Sequence, residues 1–239
     1  MPSRKRSLNL AQKYIPGQKK SRESKNTEVS KPDVGLGELY CSPGNPEQQL
    51  DLLVVGHNPG ATSFSQGHYY ANPTNHMWPL LRQAGIVPGH YTYRDDIHCP
   101  AQCKVGFTSL MVGVSVTQST SIPDRTVRSY KQPFYNSLVR HCARVSQNTT
   151  SNQPTPPKII AFEGKRQWKL LFPPSYKTSN TSWGVWGIQI DRPMDWPVEL
   201  KSSIVYLLPS SSGAAVMKKE ERSMPYMQLG EMLKALRDD

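Results

Sequence analysis

Hydrophobic and polar positions change texture near residue 50. From there an apolar run, Leu50-Asp51-Leu52-Leu53-Val54-Val55, closes at Gly56. The run is too short for a helix and ends in a turn residue, so it predicts a buried strand. Lys158–Phe162 (KIIAF) and Ile204–Leu208 (IVYLL) repeat that signature, Ile188-Gln189-Ile190 is a shorter version, and Phe107–Val116 has room for one short strand. Between these runs the apolar spacing becomes helical. Met77, Trp78, Leu80 and Leu81 predict a helix over 75–83, with Gly85 placed to stop it. Leu138, Val139 and Cys142 share one face of a helix over 134–145, followed by a polar connection at 146–157. Further helices are expected over 164–171 and 228–236. Strand, turn and helix in this order predict an α/β fold, a three-layer sandwich with a central, mostly parallel sheet flanked by helices. Such sheets carry their chemistry at the carboxyl ends of the strands. That rule directs attention to the loops after Val55, near Phe107, after Phe162 and after Leu208.

Composition narrows the reading. A chain of 239 residues suffices for one packed domain with a tail and is too short for two large ones. No stretch approaches the ~18 apolar residues of a membrane span, and the first residues lack the apolar core of a secretory signal. Neither a membrane nor an exported location is expected. Residues 1–46 differ from the rest: Arg4, Lys5, Arg6, Lys13, Lys19, Lys20, Arg22 and Lys25 face a single acidic residue, Glu23, within the first 25 positions. So little apolar surface cannot offset the entropy of ordering, and a disordered basic tail is expected over 1–46, ahead of a packed domain over 47–239. The clusters Arg4-Lys5-Arg6 and Lys19-Lys20 read as a nucleic-acid contact and a nuclear-targeting patch. A net charge of +11 points the whole chain toward polyanions. Four cysteines (Cys41, Cys99, Cys103, Cys142) do not make a disulfide framework. His98-Cys99 with Cys103 lacks the second pair that tetrahedral zinc requires, so neither metal nor cofactor is expected.

The loops after the strands hold the candidate chemistry. Gly56-His57-Asn58-Pro59-Gly60 follows the first strand and is neither a phosphate loop nor a dinucleotide fingerprint. Residues 67–78, GHYYANPTNHMW, crowd aromatic faces and amide edges into one loop, the means by which proteins hold an unstacked base. Leu208-Pro209-Ser210-Ser211-Ser212-Gly213 supplies small hydroxyls and pliable backbone suited to phosphates.

GHNPG (56–60), GHYYANPTNHMW (67–78), GFTSL (106–110) and LPSSSG (208–213), in this order and with Gly164-Lys165 as a weaker fifth element, resemble the uracil-DNA glycosylase superfamily. Within it they are most similar to the mismatch-specific uracil- and thymine-DNA glycosylases, over residues 50–239. The resemblance implies a monofunctional hydrolase of base excision repair. It would flip uracil, or thymine or a modified cytosine, from a mispair with guanine and leave an abasic site. Asn58 would hold the attacking water, with Gly56, His57, Tyr70, Asn75 and Ser109 around the base. Ser210, Ser211, Ser212 and Gly213 would grip the backbone, and Ala214 and Ala215 stand where the family carries a larger wedge. Either Val216 or Met217 takes that role or product retention is weaker than in relatives. Ser109 and His57 are further departures; His57 is expected to pack behind the strand, with a pH-sensitive contact in the site as the alternative. Double-stranded DNA is the implied partner of a monomer, and a catalytically weak DNA-binding factor on the same fold is the alternative.

Overall fold

The computed structural model describes residues 36–114, 118–149 and 153–238. Five strands form one sheet: β1 (Leu52–Gly56), β2 (Val105–Ser109), β3 (Ile159–Glu163), β4 (Gly187–Gln189) and β5 (Ile204–Leu208). Their order is β2-β1-β3-β5-β4, with every pairing parallel except that of β4 with β5. Around them lie α1 (Ala61–Gln66), α2 (Met77–Gln83), α3 (Cys99–Cys103), α4 (Asp124–Ser129), α5 (Lys131–Asn148), α6 (Lys165–Leu170) and α7 (Lys219–Asp238).

Alternation along the strands builds two cores. Leu52 and Val54 of β1 point to a face shared with Phe107, Ala161, Met77, Trp78, Tyr226 and Leu229, under α2 and α7. Leu53 and Val55 point to the opposite face, with Ile160, Phe162, Phe134, Leu138, Cys142 and Trp168, under α5 and α6. All five residues of β1 and β2 are buried, as expected of strands covered on both sides. Three layers result, as the hydrophobic pattern implies.

The differences from the sequence reading are local. The second strand is Val105–Ser109, earlier than the expected 107–116, because the chain turns at Leu110; Val116 lies outside the described residues. The closing helix begins at Lys219 and carries Pro225 in its interior, whose carbonyl accepts the Tyr206 hydroxyl at 3.1 Å. Val139 is only partly buried; Phe134, Tyr135 and His141 join Leu138 and Cys142 on the inward face of α5. Residues 36–46, expected within the tail, are packed instead. Leu39 exchanges backbone hydrogen bonds with Phe107 at 2.8 and 3.0 Å, and buried Tyr40 shares a hydrogen bond with Ser137 Oγ at 2.9 Å. Gly106 permits this crossing, since a Cβ there would sit 2.9 Å from the Leu39 carbonyl oxygen and 2.5 Å from Leu50 Cδ1. The packed domain therefore reaches back to Leu36. Arg4, Lys5, Arg6, Lys19 and Lys20, and the expected disorder of the tail, lie outside the described residues. Among the described residues no helix is long and apolar enough to cross a membrane.

Candidate active site

From β1 the chain runs outward to β2 and then returns to the other side as β3, so β1 and β3 flank the point where the winding reverses. In open α/β sheets that reversal leaves a crevice beyond the carboxyl ends of the strands. Here it is a cavity of about 360 Å³ lined by residues 56–60 after β1, Tyr70 and Asn75, Ser109 at the end of β2, Glu163 to Gln167 after β3, and Ser210, Ser212 and Gly213 after β5. The four loops singled out by the strand pattern meet there.

Asn58 sits at the tip of β1, half-buried. Its Oδ1 lies 2.8 Å from His57 Nδ1, and its Nδ2 donates to the Pro59 carbonyl at 3.0 Å. His57 therefore does not pack behind the strand as expected; it lies in the cavity wall with its Nε2 at 3.4 Å from Arg166 Nη1. The reason is backbone direction: Gly56 and His57 continue the pairing with β2 by accepting from the Leu110 and Met111 amides at 2.9 and 3.0 Å. Burial, reinforced by the Arg166 charge, lowers the His57 pKa below its ordinary value, so the ring is neutral at pH 7.

Tyr70 is held in a left-handed backbone conformation, φ 56°, which a bulky residue adopts only under constraint. The constraint is visible on both sides. The Tyr69 amide donates to Asp96 Oδ2 at 2.7 Å, the Tyr69 hydroxyl to the Gly37 carbonyl at 2.7 Å, and the Ala71 amide to Ser63 Oγ at 3.0 Å. The Tyr70 ring meets Phe107 edge-on at 6.2 Å and lines the cavity. Gly56 makes room for its phenol, since a Cβ at 56 would stand 3.1 Å from the hydroxyl oxygen. Asn75 lines the cavity while its Oδ1 accepts the Met77 amide at 2.8 Å at the start of α2. Buried Ser109 closes the floor beside Gly56.

The serine loop departs from its expected role at one position. Ser211 is wholly buried, and both its amide (2.6 Å) and its hydroxyl (3.1 Å) donate to Glu163 Oε1. It therefore braces the loop from inside, and Ser210 and Ser212 are the hydroxyls on the cavity side. The loop is also tied to the aromatic segment: the His76 amide donates to the Ser211 carbonyl at 2.8 Å, and a Cβ at Gly213 would lie 2.5 Å from the Thr74 carbonyl oxygen. Ala214 is exposed, Ala215 and Met217 are partly so, and the Val216 side chain stands fully in solvent.

Glu163 and Arg166 were not singled out in the sequence. Glu163 is the last residue of β3, where burial raises its pKa against the opposing bonds from Ser211. A polar residue closing an apolar strand beside the weak Gly164-Lys165 signal was the available clue. Arg166 is bound by the carbonyls of Ser119 (2.6 Å) and Ile122 (2.5 Å) and by Asp124 Oδ1 (2.6 Å), residues distant in sequence.

Fold and site together define an α/β protein with a crevice of about 360 Å³ at a strand reversal. A family model described as the uracil DNA glycosylase superfamily matches residues 43–237, and the chain belongs to that superfamily. A G/U mismatch-specific uracil DNA glycosylase of Schizosaccharomyces pombe is 35% identical over 95 residues, which cover 38% of this chain and 27% of that protein.

Proposed function

We propose that this chain is a monofunctional DNA glycosylase that draws uracil mispaired with guanine into the crevice between β1 and β3. There it hydrolyses the N-glycosidic bond, releasing the base and leaving an abasic site. The observation that carries the reading is the carboxamide of Asn58 at the strand reversal, with Tyr70 and the serine loop on the same cavity. Flipping costs a few kcal/mol and least at a mispair, which favours such sites before any contact is made. Glycosidic cleavage passes through an oxocarbenium-like sugar, so the water has to be aimed at C1′ more than it has to be deprotonated. An amide oxygen accepts a hydrogen bond from water but not its proton.

The 56–60 loop contains no carboxylate, and the cavity carboxyl, Glu163, is engaged by Ser211. Forgoing a general base, worth typically ~10²–10⁴-fold, makes the enzyme slow and dependent on how well the base leaves. Tyr70 supplies the aromatic wall for the extruded base, Asn75 and Ser109 the polar edges, and Ser210 and Ser212 the grip on flanking phosphates. Val216, apolar and exposed on the loop beyond, is the wedge for the vacated stack.

The test is base release from a G·U duplex, read as strand scission after alkali. Asn58→Ala is expected to lower single-turnover release by ~10²-fold or more while duplex binding persists. Equal release by both proteins would refute the assignment, and absence of release by the wild type would favour a DNA-binding factor without turnover.

A further inference from the structure

We propose that His57 is a positioning residue, whose Nδ1–H fixes which end of the Asn58 carboxamide faces the attacking water and which is itself fixed by Arg166. The inference rests on the glycosylase reading above. An asparagine side chain has two ends of almost equal size and opposite hydrogen-bonding sense, so packing alone sets its flip poorly. Partners must set it.

Three contacts in this structure form a chain of such partners. A guanidinium only donates, so His57 Nε2, 3.4 Å from Arg166 Nη1, is the lone-pair nitrogen of a neutral ring. The proton is thereby assigned to Nδ1, which donates to Asn58 Oδ1 at 2.8 Å. Nδ2 is then directed to the Pro59 carbonyl at 3.0 Å. An amide oxygen accepts two hydrogen bonds, so the one from His57 is compatible with one from water. Arg166 cannot drift, because Ser119, Ile122 and Asp124 hold its other N–H groups. One change of state breaks the sequence. The charged groups facing the ring are Arg166 from α6 and, behind it, Asp124 from α4. A proton added at Nε2 meets the guanidinium N–H, and the ring or Arg166 must move.

Single-turnover release from a G·U duplex is measured between pH 5 and 8 for wild type, Asn58→Ala, His57→Leu and His57→Asn, with melting curves for each. His57→Leu removes the donor and is expected to lose ~10-fold in rate at saturating enzyme, with little change in duplex affinity. Wild type is expected to show an acid limb below the ordinary His value of about 6.5. His57→Asn keeps an N–H near the Nδ1 position without a titrating ring, so it recovers most of the rate and loses the limb. A His57→Leu rate within about twofold of wild type overturns the inference, as does an acid limb that survives in His57→Asn. If His57→Leu fails to fold, the pH profile of His57→Asn decides alone. An Asn58→Ala protein as fast as wild type removes the glycosylase reading and this inference together, whereas an inactive Asn58→Ala beside a fully active His57→Leu removes this inference only.

Discussion

Replacing Glu163 separates the two things its carboxyl does. One oxygen of that group accepts both the amide and the hydroxyl of Ser211, a wholly buried residue, and so anchors the serine loop to the end of β3. Glu163→Ala leaves both donors without an acceptor. A buried unsatisfied group costs about 1–3 kcal/mol, partly offset here because a carboxyl whose ionised form is disfavoured is removed as well. A net loss of about 2 kcal/mol corresponds to roughly 4–8 °C in Tm for a domain of this size. Glu163→Gln keeps an acceptor oxygen toward Ser211 and cannot ionise.

The sign of the pH dependence follows from the raised pKa. Burial lifts the folded-state value above the unfolded one, so the wild-type carboxyl contributes most stability below the unfolded pKa and loses it as pH rises through the folded value. Glu163→Gln does not titrate. Its Tm relative to wild type is therefore expected to be flat in acid below about pH 4 and to climb as the pH approaches neutrality. Thermal unfolding of wild type and both variants across that range is the assay. A Gln variant that loses ground to wild type as pH rises would mean that the ionised carboxylate is the favoured form, and the account of Ser211 as a partner of a disfavoured charge would fail.

Two other perturbations test the site's supports. Gly213→Ala places a methyl group 2.5 Å from the Thr74 carbonyl oxygen, so the serine loop and the aromatic loop must separate. Base release should fall by ~10-fold or more with a smaller effect on Tm, and unchanged single-turnover release would show that the close approach of these loops is dispensable. Deleting residues 1–35 should leave Tm unchanged and reduce the salt dependence of DNA binding by about 0.9 in log–log slope for each phosphate the tail neutralises. Deleting 1–45 additionally removes buried Leu36 and Tyr40, each worth about 1.5–3 kcal/mol, and should lower Tm; equal melting of the two truncations would contradict the packed boundary at Leu36.

The elements that sequence made legible are those whose signal is periodic and local. Leu52 to Val55, Ile159 to Phe162 and Val205 to Leu207 are continuous apolar runs bounded by turn residues, and parallel burial is the arrangement that covers such runs on both faces. Asn58, Tyr70 and Asn75 were legible because motif strings place them at strand or helix ends, where open sheets leave a crevice. Three things were not legible. Segment 36–46 has no periodicity of its own; its order comes from Leu39 pairing with Phe107, a contact between residues far apart in sequence and permitted by Gly106. Ser211 reads like its neighbours, and only the bend of the loop decides that it turns inward to Glu163. His57 is adjacent to Asn58 in any alignment of motifs, yet its role depends on Arg166, more than a hundred positions later and folded against the same wall.

These failures share a physical cause, which also bears on how the site works. A parallel sheet gathers the ends of strands distant in sequence, so supporting contacts in its crevice are non-local even where the residues that touch substrate are signalled locally. An enzyme that relies on an amide to aim water has little to gain from a stronger acid or base at that position. Its rate rests on how tightly the amide, the aromatic wall and the phosphate loop are held relative to one another. In this chain Asn58 is held by its neighbour His57 and, through it, by Arg166 after β3, Tyr70 by neighbours bound to Asp96 and Ser63 of the same β1–β2 connection, and the serine loop by Glu163 at the end of β3. Substitutions in these supports should therefore lower turnover more than they lower duplex affinity, and a support variant whose whole defect lay in affinity would count against positioning as the source of the rate.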